Sequence, residues 1–85
     1  MIKFDQYDKF GTTYNYVTID LSTTKHRSRV LDFLEDQNPA TGEHQYIIKA
    51  QWTPEKYHPT MILSKDELIQ FSIAIEKMVN VIHKK

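Results

Sequence analysis

Cysteine is absent from these 85 residues. That excludes a disulfide framework and a thiolate zinc site, and it fits a reducing compartment. Glycine occurs only at Gly11 and Gly42, so no Gly-rich loop can cradle phosphates, and no G-x-S-x-G motif presents a nucleophile. Charge of one sign is missing too. Eleven basic and eleven acidic residues cancel, with a pI near 6.9, and no global field draws the chain to nucleic acid or to a lipid surface. The longest apolar runs, 71–75 and 78–82, are far below the roughly 18 residues of a membrane span, and residues 1–8 are too polar for a signal peptide. A cytoplasmic protein with no membrane partner is expected. A chain this short forms one domain, 1–85, burying only about 60–65% of its unfolded surface, so it is marginal without oligomerisation.

What is present is a well-marked C-terminal helix. Ser64-Lys65-Asp66-Glu67 is a capping box, in which the Ser64 hydroxyl accepts from the Glu67 N–H and the Glu67 carboxylate reaches back to the Ser64 N–H. The helix should start at Lys65. Leu68, Phe71, Ile75, Met78 and Ile82 then fall on three- and four-residue steps and form one stripe, and Ile69, Ile73, Ala74, Val79 and Val81 widen it. More than half the circumference is apolar, against roughly 100° for a helix lying on one core. The stripe is therefore expected to form a homodimer interface, helix against helix around a two-fold axis.

Upstream, the pattern is that of strands. Ile2-Lys3-Phe4 opens an alternation that loses phase at Gln6 and Tyr7, which predicts an edge strand with a bulge. From Thr12 the period is two, with Val17, Ile19 and Leu21 on one face and Tyr14, Tyr16, Thr18 and Asp20 on the other. The tyrosines are then exposed side by side: a stacking platform for bases, or ordinary strand formers. In 22–37 Val30, Leu31 and Leu34 stand at helical spacing behind Thr23 or Thr24 as N-cap, yet the same residues also alternate. The turn chemistry of Asn38-Pro39-Ala40-Thr41-Gly42 favours a hairpin from about 27–35 into 45–52. Tyr46, Ile48, Ala50 and Trp52 share one face of that second strand; Thr53-Pro54-Glu55-Lys56 turns the chain, and 60–63 runs into the Ser64 cap. The expected fold class is α+β: an antiparallel four-stranded sheet, with strands at about 2–10, 12–21, 27–35, 45–52 and 60–63, followed by one helix over about 65–83.

Among chemistry-bearing residues, His26, His44, His58 and His83 are scattered with no i, i+4 pair and no acidic cluster, so neither a metal nor another cofactor is expected. Asp66 and Glu67 are explained by the helix N-terminus. Lys25-His26-Arg27-Ser28-Arg29 holds both arginines and is the chain's basic cluster, either a solvated loop or a set of phosphate contacts. Trp52 beside the proline turn is a packing anchor or a ligand-stacking ring.

The run from Tyr46 to Phe71 resembles the C-terminal signature of the positive-cofactor-four family and its bacterial and phage relatives. The residues that carry it are Ile48, Lys49, Trp52, Thr53 and Pro54, then Met61-Ile62-Leu63-Ser64 with Asp66, Glu67 and Leu68. The resemblance spans roughly 27–82. It implies a small bacterial or phage dimer whose helices meet, binding single-stranded DNA on a curved antiparallel sheet in transcription, replication or recombination.

Two functions from different classes follow, neither enzymatic. The first is a dimeric single-stranded DNA- or RNA-binding protein, with Lys25, Arg27, Arg29, Lys49 and Lys56 along the phosphates and bases stacked on Tyr14, Tyr16, Trp52 and Tyr57. The second is a protein-interaction module, an adaptor or inhibitor of a larger enzyme, anchored by exposed aromatics. Convergence of Lys25, Arg27, Arg29 and Lys49 on one concave face would favour the first, and their scatter the second.

Overall fold

The computed structural model describes residues 1–25, 29–52 and 60–84. Five strands precede one helix: β1 Ile2–Lys9, β2 Thr12–Asp20, β3 Arg29–Gln37, β4 His44–Trp52, β5 Thr60–Leu63 and α1 Lys65–His83. The strands pair in sequence order as one antiparallel meander. The sheet thus has five strands rather than the expected four, since β1 is a full member. Its ladder with β2 runs unbroken from Ile2↔Ile19 to Lys9↔Thr12, which corrects the expected bulge. Phase is lost at Gln6 and Tyr7 because β1 serves both faces of the sheet: Phe4 stands opposite Val17 on one, Tyr7 opposite Tyr14 on the other.

The β1–β2 connection is a two-residue turn with Phe10 at φ 50° and Gly11 at φ 80°. Positive φ at both central positions is the type I′ geometry that matches the twist of paired strands. Asn is the usual first residue there; a phenylalanine held in the left-handed region is strained by about 1–2 kcal/mol. The β3–β4 turn is closed by Asn38, whose N–H donates to the Glu43 carbonyl (2.8 Å) and whose side chain accepts from the Ala40 N–H (2.9 Å). Gly42 supplies the positive φ, at 75°.

Segment 29–37 is strand, not helix, because it is paired on both sides, Val17↔Phe33 to β2 and Phe33↔Ile48 to β4. Two flanking ladders outweigh the helical spacing of Val30, Leu31 and Leu34. By register the sheet has one apolar face, carrying Ile2, Phe4, Val17, Ile19, Leu31, Phe33, Ile48, Ala50, Met61 and Leu63. The other face is mixed and polar.

At α1 the capping box forms in full: Glu67 N–H donates to Ser64 Oγ at 3.2 Å, and Ser64 N–H to Glu67 Oε1 at 2.9 Å. The helix begins at Lys65. With 19 residues it is about 28 Å long, and it lies on the apolar face over β4 and β5.

Candidate interaction surface

The helix covers only part of the apolar face. Leu68 and Phe71 are half-buried, but no helical residue is fully buried. Beside Leu68 a cavity of about 190 Å³ opens among Val17, Phe33, Tyr46 and Ile48. A second, of about 250 Å³, separates Phe71 and Ile75 from Leu31, Phe33, Ile48, Ala50 and Met61. Both clefts open to solvent, so α1 fills only part of the space over its own sheet. Over β1 the face is open, with Ile2 71% exposed and Phe4 66%, while Val17 and Ile19 on β2 are half-buried. The helix end is equally bare, with Met78, Val81 and Ile82 more than half exposed. Among the described residues the buried hydrophobic core is Tyr14 and Ile48.

The polar face is knit by side-chain hydrogen bonds running across the strands. Tyr16 donates to Asp5 (3.1 Å); Thr18 and Gln51 both donate to Asp32 (2.8 and 2.7 Å); Lys9 pairs with Asp36 at 3.0 Å. These contacts fix the charge states. The Gln6 N–H, then the Tyr16 hydroxyl, hold the Asp5 carboxyl below the usual range. Burial pushes the Asp36 carboxyl up, but the Gln37 N–H, the Lys9 ammonium and the Gln45 amide together outweigh it and hold it low. The bond to Asp36 raises Lys9. Burial raises Tyr7, and the bond to Asp5 raises Tyr16. Each shift carries its group further from neutrality.

Between the β1–β2 and β3–β4 hairpins the strands splay. The β2–β3 ladder ends at Tyr16↔Leu34, and beyond it the Asn15 N–H donates to the Glu35 carboxylate instead (3.2 Å). Tyr7 and Tyr14 fill the wedge, their ring centroids 5.5 Å apart. Tyr7 Oη donates to the Glu35 carbonyl and Tyr14 Oη to Gln37 Oε1. Tyr14 is only 4% exposed, and Tyr16 is half-buried with its hydroxyl engaged. The expectation of two exposed tyrosines side by side is therefore corrected: the wedge takes up Tyr14, and its ring offers no free stacking surface.

The basic candidates do not gather. Lys49 is exposed on the polar face opposite Asp32, whereas Arg29 belongs by register to the apolar face, opposite Trp52. Lys25 is exposed in the β2–β3 connection. Arg27, Lys56, Tyr57 and the Trp52 side chain lie outside the described residues, as does the turn at 53–56. Of the helical stripe, Leu68, Phe71 and the partly exposed Ile75 face the chain's own sheet, while Met78 and Ile82 lie beyond it, exposed. Ile2 and Phe4 were not among the expected site residues. Reading Phe10-Gly11 as a two-residue hairpin would have aligned them with Ile19 and Val17.

No family model, curated protein or solved structure matches this chain. Its surface has to be read on its own chemistry.

Proposed function

We propose that the chain is a protein-interaction module whose working surface is the apolar sheet face together with α1. The observation that carries this reading is the open apolar surface from Ile2 and Phe4 to Met78 and Ile82. Contiguous exposed apolar surface on a soluble domain marks a binding site. The polar face supports the same reading from the other side. Lys3, Lys9 and Lys49 stand there among Asp5, Asp20, Asp32 and Asp36, so an approaching phosphate backbone meets carboxylates as often as cations. Arg29 and Lys49 on opposite faces cannot track one strand. Shifts that all lead away from neutrality also suit a binding surface better than a catalytic one, which needs groups tuned toward the working pH.

The single-stranded nucleic-acid reading is the alternative outcome of the test. A labelled oligo-dT is titrated with purified protein at low and at moderate salt and followed by fluorescence anisotropy. No saturable binding is expected at either salt. Micromolar binding that weakens steeply with salt, as counterion release requires, would overturn the proposal.

A further inference from the structure

We infer that the occupant of this surface is a second copy of the chain, seated reciprocally: the free end of each helix lies across the β1–β2 strip of its partner. This rests on the interaction reading above and names its partner.

The areas point to a second copy of about this size. A folded monomer of 10.1 kDa exposes about 5,300 Å², whereas this chain exposes 6990 Å². The excess, about 1,700 Å² per chain or about 3,400 Å² per pair, falls in the range of obligate homodimers rather than of transient contacts. Its radius of gyration, 14.9 Å, likewise exceeds the roughly 12 Å of a compact chain of this length. The surplus is what an unpaired protomer of such a dimer carries.

The shapes point to the reciprocal seating. Ile75 is the last helical residue facing the chain's own sheet. The eight residues that follow it in α1 extend about 12 Å further and carry Met78, Val79, Val81 and Ile82, all exposed. The strip formed by exposed Ile2 and Phe4 with half-buried Val17 and Ile19 beside them is two strands wide, about 10 Å, which is one helix diameter. One chain thus carries both a helix end without a sheet and a sheet strip without a helix. A two-fold axis uses each surface twice and closes, leaving no surplus surface to propagate.

Because the chain has no cysteine, the contact can be mapped by single substitutions. The variants F4C and M78C are mixed, refolded together and treated with a short homobifunctional thiol cross-linker, while light scattering gives the mass of the unmodified protein. A mass of twice 10.1 kDa and a dominant F4C–M78C product are expected. A folded 10.1 kDa monomer at micromolar concentration would overturn the inference and leave the interaction reading to a different partner. M78C–M78C as the sole product would overturn the reciprocal seating in favour of helix against helix. Oligo-dT binding, in contrast, bears on the interaction reading itself.

Discussion

The Tyr7 hydroxyl donates to the backbone carbonyl of Glu35 at 2.5 Å, across 28 residues of sequence and over the intervening strand. It satisfies a carbonyl that the diverging β2–β3 ladder has released, and it anchors the ring that closes over Tyr14. Removing this hydroxyl leaves a part-buried acceptor without its donor. Tyr7→Phe is expected to cost about 1–2 kcal/mol, lowering Tm by roughly 4–16 °C for a domain of this size. Tyr16→Phe, whose hydroxyl meets a half-buried carboxylate that keeps the Gln6 N–H as a second donor, should shift the melt less. Equal shifts in thermal circular dichroism would contradict the role given to the wedge.

Phe10 holds φ 50° with its side chain 95% exposed, so strain is present and the ring gains no burial in this chain. Phe10→Asn should stabilise the fold by about 1 kcal/mol, read as a higher urea midpoint at unchanged slope. A destabilised variant would mean that the ring is covered in the assembled state.

The Asp36 carboxyl is held below its unfolded value. Its contribution is therefore present above the ordinary carboxylate range and lost as the pH falls through the folded value. The raised Lys9 partner contributes fully below the unfolded lysine value, and that share is lost only in strong alkali. Urea midpoints measured from about pH 7 down to about pH 3 should fall in the wild type. The fall should be shallower in Asp36→Asn. Superimposable profiles would show that this ion pair does not couple to folding.

The Ser64 cap starts α1. Ser64→Ala should cost about 1 kcal/mol, and the loss should concentrate in amide exchange of the first helical turn. Unchanged exchange at Leu68, whose N–H donates to the Ser64 carbonyl at 3.0 Å, would contradict it.

The parts of the fold legible in the sequence were those set by neighbours in the chain. The Ser64–Glu67 box placed the helix start because both of its hydrogen bonds close within four residues. The alternation of Tyr46, Ile48 and Ala50 marked β4 because one face is apolar. What stayed hidden depends on pairing between strands. Whether 29–37 is helix or strand is decided by the ladders on either side, and the burial of Tyr14 by a splay that sequence periodicity does not encode. The basic residues misled for a related reason. Arg29 and Lys49 look like one cluster once hairpin pairing is assumed, yet the register sets them on opposite faces. In the helix, the apolar width was visible and the direction in which it is spent was not.

On the proposed reading the apolar face, and not the polar one, is covered in solution. Hydroxyl-radical footprinting of the purified protein at working concentration separates the two faces, since Phe4, Met61 and Met78 report on one surface and Tyr16 on the other. With Phe4 at 66% and Met78 at 60% exposure in the isolated chain, both should oxidise far more slowly than those exposures imply, and should speed up on dilution. Phe4 and Met78 oxidising as freely exposed side chains at every concentration, with protection confined to the polar face, would contradict the claim.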